Sequence, residues 1–199
     1  NHASDPDLDP YAVDLFIISA DGGEPRKIKT PEGSKYLASF SPDGKFIAFA
    51  SSRDGTSRIW LKQLASGEEV ALTAGRDFWP QISPDSGSVL FRRADKGRVD
   101  LYRVPLVGGE PRRLASNIDF AVWSPDGKRI ALERLHDRGS QVLLIPAEGG
   151  EEQLLLELDA SVRGLDWSPD GNSLLLVTAA RVNSISSTAL ETVEVASGQ

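Results

Sequence analysis

An all-β fold of repeated four-stranded sheets is what this sequence predicts, on three observations. A turn motif recurs at a nearly constant interval, short apolar runs flank each copy, and no segment sustains helical periodicity between caps. The turn is Ser-Pro-Asp-Gly, beginning at Ser41, Ser124 and Ser168, with a variant at Ser83-Pro84-Asp85-Ser86-Gly87 that reads as carrying one inserted residue, Ser86. The serines stand 42, 41 and 44 residues apart. A second turn, Gly followed by Glu, recurs out of phase at Gly23-Glu24, Gly67-Glu68, Gly109-Glu110 and Gly150-Glu151, with Ser197-Gly198-Gln199 as a last echo. Proline presets φ for the first central turn position, Asp bonds the local backbone, and Gly takes the positive φ.

The apolar runs follow in a fixed order. In the first full repeat they are residues 37–40, 46–49, 59–61 and 70–72. The next repeat has 79–82, 89–91, 99–102 and 113–115, and the third has 121–123, 130–132, 142–145 and 154–156. Residues 14–18 and 26–30 read as the third and fourth strands of a preceding repeat, and 164–167, 174–177 and 189–195 as the first three of a last one. Short runs of β-branched residues, leucine and aromatics between turns are strands. Four strands per roughly 42 residues is the pattern of a β-propeller blade. One blade cannot bury both its faces, and stacking blades about an axis does. The aromatic before Ser-Pro (Phe40, Trp123, Trp167) is expected to wedge between blades. The expected division is a flexible acidic tail over 1–13 and propeller repeats over 14–199: partial blade 14–30, blades 34–73, 76–115 and 118–158, and partial blade 161–199. Two arrangements fit. The preferred one is a fragment of a larger propeller, about four to five blades cut inside a blade at both ends. In the other, the N-terminal pair joins the C-terminal strands in a composite blade that closes a smaller ring. An open arc exposes strand edges and invites homodimerisation.

The net charge of −7 and pI of about 4.9 argue against a nucleic-acid partner, which would favour a basic stripe. The pairs Arg92-Arg93 and Arg112-Arg113 read as solvated strand faces. With no cysteine, a disulfide framework, a thiolate zinc site and a cysteine nucleophile are all ruled out. No apolar run approaches the ~20 residues that span a bilayer, so no membrane insertion is expected in this segment.

The repeat resembles the WD-like propeller repeat of the TolB family. Its pattern is an aromatic, Ser-Pro-Asp-Gly, an apolar strand with Ile or Leu and Ala, then Asp-Gly or Gly-Ser, then an Ile-Trp or Leu-Tyr strand. Residues 40–73 match along their length, 123–156 nearly as well, and 167–177 over the first half, while the 83–87 copy departs with Ile82 for the aromatic. The resemblance implies a fold and, at one mouth of the channel, binding of partner proteins or peptides. The repeat is shared by proteins of many functions.

Catalytic chemistry finds little support. Propellers of this kind also cap prolyl-oligopeptidase-like serine peptidases, but no Gly-x-Ser-x-Gly elbow is present. His2 in the tail and His136 in the hairpin loop at 134–137 read as exposed. Asp5, Asp7 and Asp9 resemble the start of a calcium loop, yet Pro10 and Phe16 stand where Gly and Glu are needed. Two histidines without cysteine make no typical zinc site, and Gly108-Gly109 and Gly149-Gly150 lie in hairpins with no helix to cradle phosphate. No metal, cofactor or catalytic residue is therefore assigned. Recognition remains. The first strand of each blade lines the channel, and the segments leading into it (33–36, 76–79, 117–120 and 161–164) gather at one mouth. They carry Tyr36, Arg76, Phe78, Trp79, Phe120 and Arg163, including the aromatic and arginine types that dominate binding hot spots. The expectation is a non-catalytic protein- or peptide-binding or sensing module of a bacterial, extracytoplasmic (periplasmic or cell-envelope) protein. The alternatives are the propeller of a peptidase whose catalytic domain lies outside the chain, and a small-molecule or glycan sensor.

Overall fold

The computed structural model describes residues 13–182 and 185–195, and side chains except at 180–187. His2, the Asp5 to Asp9 run and the C-terminal Gly-Gln echo lie outside the described residues, as does all of the expected tail but Val13.

Among the described residues every regular element is a strand, and all pairing is antiparallel. β1 (Phe16–Ile17) and β2 (Arg26–Lys27) form a two-stranded sheet. Three four-stranded sheets follow, each in simple up-and-down order. The first holds β3 (Lys35–Phe40), β4 (Phe46–Ser51), β5 (Arg58–Gln63) and β6 (Glu69–Ala71). The second holds β7 (Asp77–Ile82), β8 (Ser88–Asp95), β9 (Arg98–Pro105) and β10 (Arg112–Ala115). The third holds β11 (Phe120–Trp123), β12 (Arg129–His136), β13 (Gly139–Pro146) and β14 (Gln153–Leu158). A three-stranded sheet closes the series: β15 (Ser161–Trp167), β16 (Ser173–Val182) and β17 (Ile185–Glu194), the last two longer than the sequence pattern suggested. The sheets are the blades of a β-propeller.

Side-chain alternation on each second strand couples a blade to both neighbours. Val89 and Phe91 of β8 pack back against Ala48, Ala50, Ile59 and Leu61, while Leu90 packs forward against Ile130 and Leu132 of β12. Ala131 in turn faces Leu174 and Leu176 of β16. Ile47 and Phe49 meet Leu15, Ile17 and Ile28 of the first pair. Among the described residues no hydrophobic cluster joins the β15–β17 sheet to β1 and β2, and the two sheets share no strand pairing.

The Ser-Pro turns are built alike. Ser41 Oγ donates to Asp43 Oδ1 at 2.7 Å and accepts from Phe46 N at 2.8 Å, while Gly44 at φ 69° closes the turn onto Ser41 O. The turns at Ser124 and Ser168 repeat these bonds. So does the variant at Ser83, and it corrects the reading of Ser86 as an insertion. Ser88 N reaches Ser83 Oγ with the same five-residue step as Phe46 to Ser41, and Ser86 occupies the Gly44 position at φ 58°. The variant is a substitution, with Gly87 standing where Lys45 stands in the first copy.

The wedge expectation holds for two aromatics of three. Trp167 is buried in the cluster between the third and fourth blades and Trp123 packs on that between the second and third, and each indole Nε1 donates back to the first strand of the preceding blade, to Val122 O at 3.3 Å and Gln81 O at 3.4 Å. Phe40 is instead 52% exposed. Its place on β3 faces the preceding blade, where the described residues supply only β1 and β2, packed farther along against Ile47 and Phe49.

Candidate functional site

In three blades a residue near the end of the second strand ties that strand to the segment beginning the first. Ser51 Oγ donates to Ser34 O at 2.8 Å, and Arg134 Nη2 donates to Ser116 O at 3.0 Å. Arg93 grips the fully buried Asp77 through Nε to Oδ1 at 2.6 Å and Nη2 to Oδ2 at 2.9 Å. The fork raises the Arg93 pKa, and its guanidinium also lies 4.8 Å from the Tyr102 ring centroid. Arg93 is therefore a structural clamp. Its neighbour Arg92 is only 7% exposed, so the reading of this pair as a solvated face is corrected at both positions, whereas Arg112 and Arg113 are exposed. His136 likewise departs from expectation: it ends β12, half-buried, with Nε2 3.6 Å from Glu157 Oε1.

Arg92 organises the junction between the second and third blades. Its guanidinium carbon lies 3.8 Å from the Trp79 ring centroid, 5.2 Å from that of Phe78 and 5.8 Å from that of Phe120. Trp79 meets Phe120 edge-to-face, centroids 6.3 Å apart at 71°, an arrangement aromatic quadrupoles favour. β7 is bulged between Phe78 and Gln81, which puts Trp79 at φ 59° and leaves the residue 41% exposed. Leu37 shares this conformation in the matching bulge of β3, so the bulge belongs to the repeat. Gln81 Nε2 donates across the junction to Ala121 O at 2.7 Å. These groups enclose a cavity of about 220 Å³, completed by Leu90, Leu101, Val122, Gly164 and Leu165. Gly164 also sits close to its ladder partner, since a Cβ there would come within 3.2 Å of Val177 Cγ2.

The electrostatics are set by burial. Desolvation pulls the Arg92 guanidinium down to about 10, opposed by Asp119 and Glu133. Glu133 pairs with Phe120 in the ladder and is fully buried, with no hydrogen-bond partner for either carboxylate oxygen among the described residues. Burial pushes it up to about 7, Asp119 adding to the rise while the Ser140 hydroxyl, Arg163 and Arg92 oppose it.

Of the six residues expected at the mouth, Phe78, Trp79 and Phe120 converge on Arg92. Tyr36 does not join them. It packs in the preceding junction and donates to Ser57 Oγ, which donates to Asp77 O at 2.6 Å. Arg76 is exposed and contributes its carbonyl to Ala94 N at 3.0 Å. Arg163 is exposed on β15, beside the cavity wall at Gly164. Sequence reasoning missed Arg92, Gln81 and Glu133. The usable signal was strand alternation, because Arg92 stands in line with Ala50 and Val177, the apolar residues that pair with the first strands of two sister blades. Among the described residues no three His, Cys, Asp or Glu side chains cluster as metal ligands would.

Comparison with known proteins agrees with this architecture. An uncharacterized protein of Agrobacterium fabrum is 26% identical over 89% of this chain and 69% of its own length. The Tol-Pal system protein TolB of Gluconobacter oxydans is 28% identical over 80% of this chain and 46% of its own. The uncharacterized peptidase YuxL of Bacillus subtilis is 29% identical over 68% of this chain, and only 22% of its length is covered. The chain thus spans less than half of the latter two relatives. The crystal structure of TolB from Acinetobacter baumannii superposes with a TM-score of 0.73 at 24% identity, covering 89% of this chain and 46% of that one, a likeness of fold. The sequence pattern described as the TolB beta propeller domain matches residues 11–197, so the chain belongs to the TolB β-propeller domain family.

Proposed function

We propose that this chain is a non-catalytic recognition module that takes a segment of a partner protein or peptide at the mouth of its channel, outside the cytoplasm. The observation that carries the reading is the Arg92, Trp79 and Phe120 cluster, a partly exposed aromatic pair held on a buried cation beside a cavity. Aromatic and arginine side chains at such a place carry most of the energy of an interface. Family membership and the relative named as a Tol-Pal system protein support a protein partner and an extracytoplasmic location. Selection from a displayed peptide library, followed by calorimetry, tests it. Trp79→Ala is expected to weaken a selected peptide by about 10-fold or more, with the β-sheet circular dichroism unchanged. Unaltered affinity in that variant refutes the mouth as the site.

Self-association belongs to the same proposal. β17 is hydrogen-bonded on one side only among the described residues, and Leu190 on it is 73% exposed. A second reading, the substrate-filtering propeller of a peptidase, is favoured by the resemblance to YuxL. A nucleophile elbow and hydrolase domain encoded in the same gene would establish it.

A further inference from the structure

Arg92 is a buried cation that the protein leaves partly unsatisfied. Arginine is rarely buried without a partner, because stripping water from a charged donor is costly. Yet Arg92 makes no ion pair within 4.0 Å among the described residues, and its buried Nη2 has no hydrogen-bond acceptor there. Asp119 and Glu133 act on it only through space, and neither lines the cavity. Among the described residues the lining contains one charged side chain, Arg92, and no carboxylate. Two sister blades hold Ala50 and Val177 at the matching position and the third holds Glu133, so the blade architecture does not require a cation there.

The cavity has the size and chemistry for one group. About 220 Å³ is below the usual ~300–1,000 Å³ of a small-molecule pocket and suits a single residue of a longer chain. A guanidinium offers a planar fork of donors that matches a carboxylate, and a desolvated site strengthens such a bond. Trp79 and Phe120 supply flat apolar walls, and Gln81, tied to Ala121 O, is held in place beside them.

We propose that this cavity seats a carboxylate of a bound peptide on Arg92, between Trp79 and Phe120. The inference rests on the recognition reading above and adds the chemistry of the anchor. A carboxylate reaches the site either as a chain terminus or as a Glu or Asp side chain. Two arms of one experiment tell these apart, using nuclear magnetic resonance titration of the chain with short acetylated peptides. In the first, a peptide ending in phenylalanine is compared as free acid and as amide. In the second, an amidated peptide with one internal Glu is compared with its Gln counterpart. The acid of at least one pair is expected to bind about 10-fold or more tightly than its neutral partner, with the largest shifts at the Trp79 indole and at Phe120. Arg92→Met, which keeps length and removes charge, is expected to abolish that difference. Equal binding of both members in both arms overturns the proposal, as does a preference that survives Arg92→Met or maps away from Trp79. If the variant does not fold, the wild-type acid-against-neutral comparison decides alone. Binding without carboxylate preference sinks the anchor and leaves the recognition reading standing. No binding by any peptide sinks both.

Discussion

Glu133 is a carboxyl group stranded between two blades, and its protonation is coupled to folding. Its ordinary value of 4.5 rises to about 7 in the folded chain. A raised value means that the folded state holds the proton more tightly than the unfolded one. The contribution is therefore complete below about pH 4.5 and lost as pH climbs through about 7. Glu133→Gln removes the coupling. The variant is expected to gain on the wild type by about 2–3 kcal/mol between pH 4.5 and pH 8, measured by urea denaturation at each pH. A constant difference over that range refutes the assignment. The turn aspartates act with the opposite sign. The Ser41 hydroxyl, the Lys45 amide and the Lys45 charge hold Asp43 at about 2, and Asp85, Asp126 and Asp170 are lowered first by their own serines. Their contribution is present above the ordinary carboxylate value and disappears as pH falls below it. Neither effect was legible in the sequence. The turn aspartates were visible as turn formers, but Glu133 looks like any charged strand residue until the next blade covers it. Arg92 was legible only through the repeat: two adjacent arginines on a strand point to opposite faces, and register with Ala50 and Val177 is what marks Arg92 as the inward one.

At the level of the turn and the strand, spacing was the strong signal. Serines 42, 41 and 44 residues apart locate the turns, and the runs between them coincide with strands, because a period-two pattern bounded by turn residues has few other solutions. Ser86 shows where motif counting misleads. Matching Gly to Gly makes the variant look one residue longer, whereas the ladder shows equal length with a serine in the left-handed position. That conformation disfavours a side chain with a Cβ. Ser86→Gly is expected to stabilise the chain by up to about 1 kcal/mol, read as a higher urea midpoint at constant slope; a lowered midpoint counts against it. Phe40 teaches a related lesson. The aromatic before Ser-Pro was readable as a wedge, but whether it is covered depends on the blade in front of it, which the motif itself does not contain. Gly139 is equally silent in the sequence, though a Cβ there would lie 2.0 Å from Leu158 O.

Among the described residues, each hydrophobic cluster joins blades that are neighbours in the series. The partly exposed face at Phe40 and the edge at β17 are expected to drive association, so sedimentation equilibrium should show a reversible dimer whose fraction rises with concentration. A monomer mass throughout the micromolar range excludes it. Adding Lys on the outer face of β17, as in Leu190→Lys, is expected to shift the equilibrium toward monomer.

The location of Arg92 has a consequence of its own. In stacked repeats a unit packed on both faces opens less readily than one packed on a single face. Trp79, Arg92 and Phe120 belong to the second and third four-stranded sheets, each flanked on both sides. Opening of β17 would leave the Trp79, Arg92 and Phe120 contacts in place, whereas loss of β15 would remove Gly164 and Leu165 from the cavity wall, so the proposed anchor and its enclosure would give way at different stages of heating.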